Sequence, residues 1–246
     1  MKKVLVSGIV LGLVVFAPQS FAAAEARLTG KIYEASGPRK EALFDFKNDF
    51  EKKPDQRIST SVFTRNDGAV AAVEVTKFDG DGRLKHYAFE DKQENYAGTI
   101  ELAYGKAKFS FTKDGKTKTS EEDAGDDFIV GSMIPEDLQA NWKKIMAGGK
   151  LKRRLAVVER VETIGFEFSK ESETELAGQK AVVIKMRPSN FLISALVKPL
   201  RFYVKADGTT LMELHGRTLI KKQVGSSFKD LDAVTVYTQL AGGNSK

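Results

Sequence analysis

The chain has 246 residues, no cysteine, two histidines and a formal charge of +6. Without cysteine it has no disulfide framework, thiol nucleophile, zinc–thiolate site or iron–sulfur cluster, and two histidines leave a metal site to be built mostly from carboxylates. A hydrophobic fraction of 41% and a charged fraction of 29% are those of a folded globular chain, not a disordered or membrane-spanning one. No cofactor is expected.

Met1-Lys2-Lys3 is a short basic start followed by the apolar run Val4 to Ala17. At about 14 residues this run fits a signal-peptide core and falls short of the roughly 20 a spanning helix needs. Pro18 breaks it, and Ser20-Phe21-Ala22 or Ala22-Ala23-Ala24 supplies the small-x-small cleavage pattern. Residues 1–24 are therefore expected to be a cleaved signal peptide and 25–246 a single β-rich domain working in the periplasm. Loss of Lys2 and Lys3 takes the charge from +6 to +4. No cysteine is present to carry a lipid anchor, so the mature product is expected to be soluble.

From there most of the chain alternates with a two-residue period, the strand signature. Ala42, Phe44 and Phe46 share one face, with Asp45 and Lys47 on the other. The pattern returns in Ile100-Leu102-Tyr104, Phe109-Phe111, Ile164-Phe166-Phe168, Val182-Ile184-Met186, Leu200-Phe202-Val204 and Val234-Val236. Between the runs lie Asp67-Gly68, Asp79-Gly80, Asp81-Gly82, Asp114-Gly115 and Asp207-Gly208, and Asp-Gly supplies the positive φ angles of tight hairpins. Successive hairpins predict an antiparallel meander.

Two segments depart from this period. Pro135 to Ala147 sets Leu138, Trp142 and Ile145 on one side of a helix, begun by Pro135, Glu136 and Asp137 and stopped by Gly148-Gly149. Ser189 to Val197, between Pro188 and Pro199, reads as a short apolar helix or turn. The acidic run Glu121 to Asp127 reads as an exposed linker. The fold class expected is mainly β (α+β): an antiparallel meander forming an unclosed barrel, with one longer and one short helix packed on its concave side.

Motifs for chemistry are absent or broken. Asp79-Gly80-Asp81-Gly82 with Glu90 mimics a calcium loop, but Arg83 and Leu84 stand where that loop needs a ligand and a glycine, so a hairpin turn is expected. No Gly-x-Ser-x-Gly occurs. Of the two Ser-x-x-Lys strings, Ser110 to Lys113 lies in a strand, where the two side chains point apart, and Ser226 to Lys229 lies in a loop. His215 shares a strand face with Glu213 and Arg217, and His86 stands opposite Tyr87 and Phe89; neither is assigned as a general base. Lys143-Lys144 and Lys150 to Arg154 form a basic cluster suited to solvent or to transient contact with a membrane surface. What remains is apolar: Leu138 and Trp142 on the helix, and Phe191, Leu192 and Leu196 in the second segment, are the candidate ligand-binding residues.

The order of elements resembles a group of uncharacterised secreted bacterial β-rich proteins. In these a β meander precedes a helix of the form seen in Phe128 to Met146. Arg187-Pro188-Ser189-Asn190-Phe191-Leu192, Pro199-Leu200-Arg201-Phe202-Tyr203-Val204 and a hairpin through Leu211 to Gly216-Arg217 follow. That pattern looks like the half-open barrel of the periplasmic lipoprotein-localisation factors. The resemblance implies transient binding of acyl chains or another apolar ligand, although the lipidated cysteine of the outer-membrane receptor branch is missing. The function expected is a soluble, non-enzymatic periplasmic carrier or binder of a hydrophobic ligand (lipid, acyl chain or lipoprotein). The alternative is a non-catalytic structural or interaction module of the envelope with a protein partner. Nucleic acid is not expected as a partner.

Overall fold

The computed structural model describes residues 26–190 and 198–239. Eight strands come first, each antiparallel to the one before: β1 (Ala26–Glu34), β2 (Phe44–Lys52), β3 (Gln56–Arg65), β4 (Val70–Asp79), β5 (Leu84–Asp91), β6 (Tyr96–Ala103), β7 (Lys106–Lys113) and β8 (Lys116–Asp123). A two-residue β9 (Phe128–Ile129), a 3-10 turn (Gly131–Met133) and the helices α1 (Ile134–Ala140) and α2 (Trp142–Met146) follow. The chain then returns to sheet with β10 (Leu151–Val157), a second 3-10 turn (Val158–Arg160), β11 (Glu162–Leu176), β12 (Gln179–Pro188), β13 (Leu200–Lys205), β14 (Leu211–Val224) and β15 (Ser227–Gln239).

All fifteen strands belong to one sheet. Its order runs β8 down to β1, then β15 down to β9, because β15 pairs with β1. The short β9–β10 contact is parallel. The sheet is an unclosed, mainly antiparallel half-barrel, as the meander pattern and its Asp-Gly turns predict. Its two edges, β8 and β9, are consecutive in the chain, yet no ladder joins them. Side chains bridge the seam instead. Glu122 accepts from the backbone N–H of Thr163 at 3.0 Å and from its hydroxyl at 2.6 Å. Ser120 donates to the Val161 carbonyl, and Arg154 to the Asp123 carbonyl at 2.7 Å. The acidic run is thus no linker: Glu121–Asp123 ends an edge strand, Glu122 closes the seam and Asp127 pairs with Arg154.

The expected long helix is two short ones. Asn141 interrupts it at φ −103°, ψ 11°, where its amide donates to the Asp137 carbonyl at 2.9 Å and to the Asp137 carboxylate at 3.1 Å. An asparagine that bonds back to the preceding turn competes with regular helix, which the apolar spacing does not register. The backbone bond from Ile145 to the Asn141 carbonyl keeps the two pieces nearly continuous. They pack on the concave side through Ile134, Leu138 and Ile145, against Leu151, Phe168, Ile184 and Phe202. Arg153 grips Asp137 through two bonds of 2.8 and 2.9 Å, and Arg57 grips Glu136 through two of 2.9 Å, so the segment is tied to both halves of the sheet. The second expected helix falls almost wholly on residues 191–197, outside the described residues, as does the expected signal peptide at 1–24.

Candidate functional site

Two of the candidate residues, Leu138 and Trp142, lie within the described structure. Leu138 is buried in the apolar cluster beneath the helices. Trp142 is half-buried over the β13–β14 turn, where a Cβ on Gly208 would stand 2.6 Å from its ring carbons. Gly208 also holds φ +79°, so turn and indole are fitted to each other. Phe191, Leu192 and Leu196 lie outside the described residues. Leu138 and Trp142 therefore share one apolar cluster, Leu138 within it and Trp142 packed against its edge.

A depression of mixed polar and apolar lining opens elsewhere, at the rim formed by the β4–β5 and β6–β7 turns and the approach to β9, with Asp126 among its charged residues. Leu84, Leu102, Tyr104, Ala124, Phe128 and Met133 line it around a volume of about 360 Å3. Phe128 and its neighbours Ile100 and Phe109 are core residues, and Leu84, Leu102, Ala124 and Met133 pack over them half-covered. Arg83, Lys85 and Lys106 stand at the lip. Tyr104 is fully exposed there at φ 52°, ahead of Gly105 at φ 73°. Left-handed backbone under a bulky aromatic is an outlier that asparagine or aspartate would occupy more easily. Period-two reading puts Tyr104 on a strand; the strand ends at Ala103, and the tyrosine is the tip of a hairpin.

Beneath the helix-bearing turn lies a polar interior that sequence reasoning missed. The register sets Asn48, Ser61 and Glu74 in one cross-strand row and Ser59 and Thr76 in the next. All five are buried. The Asn48 amide donates to the Ser59 hydroxyl at 2.9 Å and to the Ser61 hydroxyl at 3.0 Å. Thr76 shares a 2.6 Å hydroxyl contact with Ser132, and Glu74 Oε1 lies 3.7 Å from where a Cβ on Gly131 would sit. That oxygen has no hydrogen-bond partner. Burial pushes the Glu74 carboxyl up to about 7, against the smaller opposing pull of the Tyr87 and Ser61 hydroxyls. The Tyr87 phenol is driven well up by burial and by the neighbouring Glu74.

The β4 sequence explains why this row is hard to see. Ala72, Glu74, Thr76 and Phe78 point in, while Val73 and Val75 are half-covered on the outside. Hydrophobicity alone prefers the opposite face. The available signal is the neighbour: Ser59 and Ser61 alternate with the same phase as Phe63 on β3, marking an inward face with polar positions.

Outside this row, the Tyr96 phenol donates to Glu159 beside the buried Asp91, and both histidines and most of the basic cluster are ion-paired. His215 lies 2.6 Å from Glu213 and stacks on Tyr203 with centroids 4.2 Å apart, while Arg39 takes the other Glu213 oxygen at 2.8 Å. Arg217, expected beside His215, turns to Asp230 and Asp232. His86 pairs with Glu101 at 2.6 Å. Asp79 caps its own turn, accepting from the Asp81 and Arg83 backbone N–H groups, and forms a hairpin rather than a cation loop. In the basic cluster Lys150, Arg153 and Arg154 are engaged by Glu167, Asp137 and Asp127. Among the described residues no group of three potential metal ligands occurs, and no helix is long and apolar enough to cross a membrane.

No protein-family model matches the chain, and no curated protein matches it in sequence. The solved structures similar to it include the following two. A beta-barrel-like protein of the domain of unknown function DUF1849 from Brucella abortus matches over 89% of this chain and 98% of its own, with 11% identity and a TM-score of 0.49. A DUF1329 family protein from Desulfovibrio piger matches over 87% of this chain and 82% of its own, with 7% identity and a TM-score of 0.28.

Proposed function

We propose that the protein is a non-catalytic periplasmic carrier or binder of a hydrophobic ligand, an acyl chain or lipid held at the rim depression. The observation that carries this reading is the half-covered wall of Leu84, Leu102, Ala124 and Met133 over Phe128, with lysine and arginine at its lip. An acyl chain would lie along the apolar wall and its polar end would meet the cations. The N-terminal leader pattern supports the compartment, and the half-barrel supplies a rigid frame for a rim site. Binding of a fluorescent long-chain acyl probe to the purified protein tests the reading. Leu102→Asp should weaken binding about 10- to 100-fold, the effect of losing one buried leucine contact, with the circular dichroism spectrum unchanged. Protein isolated from its own envelope without lipid, and unable to take up the probe, overturns it.

A second reading, an envelope interaction module, draws on one specific feature. β10 covers only Glu162–Phe168 of β11, so Ser169–Leu176 has a ladder partner on the β12 side alone. Such an edge can accept a strand from another protein. It gains weight if the acyl probe fails to bind.

A further inference from the structure

The segment Gly131–Met146 meets β4 directly at two successive inward positions and a third time through Arg57 of β3. Gly131 lies over Glu74, Ser132 bonds Thr76, and Glu136 is held by Arg57, whose guanidinium stacks 4.3 Å from the Phe78 ring centroid. At the first of these contacts the carboxyl is 5% exposed with one oxygen unpartnered. The groups that face it carry no positive charge. β3 offers the Ser61 hydroxyl, β5 the Tyr87 phenol and β15 the Tyr237 phenol, and Gly131–Met133 contributes nothing titratable. A buried carboxylate without a cation is costly, and the cost is relieved by a proton or by water. A glycine, without a side chain, lies next to Oε1, and the residue after it is held to β4 by a Ser132–Thr76 hydroxyl pair.

We propose that Glu74 is a proton-operated latch for the segment Gly131–Met146. Neutral, it lets the first turn seat on β4. Ionised, it draws water beneath Gly131 and lifts that turn, loosening the helices that follow. Burial that raises the carboxyl to about 7 places the change near neutral pH. The latch concerns the helical segment only and holds whether or not the rim depression takes a lipid.

Trp142 is the chain's one tryptophan and sits within the segment, so it reports on seating without a label. The experiment follows acrylamide quenching of Trp142, with amide exchange of residues 131–146 corrected for its intrinsic pH dependence, from pH 5.5 to 8.5 on the full chain. Both should rise several-fold with a midpoint near 7. In Glu74→Gln both should stay at the low-pH level throughout. Neither histidine faces Glu74, so His86→Gln and His215→Gln should leave the midpoint where it is. Tyr87→Phe removes a hydroxyl that favours the ionised form and should move the midpoint upward; this arm decides if Glu74→Gln does not fold. A flat wild-type profile, a rise that survives in Glu74→Gln, or a midpoint that moves with a histidine rather than with Tyr87 overturns the proposal.

Discussion

Both halves of the interior hold a buried apolar cluster, but only one also carries a buried polar row. Under β10–β14 the helices lay Ile134, Leu138 and Ile145 against Leu151, Phe168, Ile184 and Phe202, and the contact is wholly apolar. Under β2–β5 the same concave surface carries Asn48, Ser59, Ser61, Glu74 and Thr76, buried and bonded mostly to one another. One sheet of uniform topology therefore holds a core that follows from transfer free energy alone and a core that does not. Apolar burial is non-directional, so the first half tolerates shape-conserving changes. Buried polar groups need partners of defined geometry, so the second half specifies one arrangement and keeps unpartnered carboxylate oxygens on Asp49, Glu74 and Asp91. The segment Gly131–Met146 rests on both, with Arg153–Asp137 on one side and Arg57–Glu136 on the other.

Breaking the apolar half should have the largest effect. Phe168 is fully buried and its ring packs 6.1 Å from that of Phe202, centroid to centroid. Phe168→Ala should cost about 3–5 kcal/mol, read as a lower urea midpoint with an unchanged slope. A loss below 1 kcal/mol would show that this half is loosely packed. The polar half should respond with the opposite sign. Below pH 4.5 folded and unfolded chains both hold the Glu74 proton. Between 4.5 and about 7 only the folded chain keeps it, so stability falls as pH rises, and above 7 the full penalty is present. Glu74→Gln should therefore stabilise the protein at pH 8 by up to about 3 kcal/mol and do so far less at pH 4.5. Urea midpoints of both proteins at the two pH values test this. An equal difference at both values would remove the unneutralised carboxyl as its cause.

The apolar half was legible from the sequence for a physical reason. Phe168, Val182, Ile184, Met186, Phe202 and Val204 are buried where the two-residue period puts them, although Glu167 and Val183 between them are buried too, and Leu138 and Ile145 lie at helical spacing. The unclosed meander follows from those runs and their Asp-Gly turns. Three features were not legible. Asn141 breaks the helix through its own side-chain bond, a local chemistry that spacing does not carry. Glu122 closes the seam through Thr163, a contact 41 residues distant that depends on how far the sheet curls. Glu74 is buried because β4 faces inward with its less hydrophobic side, and only the register with β2 and β3 reveals that. Of the candidate site, the sequence placed Leu138 and Trp142 on one helical side, but it could not see that the β6–β7 tip and Met133 meet across a rim.

The smallest expected effect sharpens the comparison by asking whether a local cost at the rim serves binding. Tyr104 is held in left-handed backbone with no burial in return. Asparagine fits the same turn with less strain and Gly105 already supplies the second positive φ, so Tyr104→Asn should stabilise the hairpin by about 0.5–1 kcal/mol. If the tyrosine is a lip for an acyl chain, the same substitution should weaken probe binding several-fold while the melting temperature rises. The two signs together separate a binding role from a structural one: a structural tyrosine would lose stability on replacement, and a neutral one would change neither. Higher stability with unchanged probe affinity would leave Leu102 and Met133 as the binding wall and detach the tip from it.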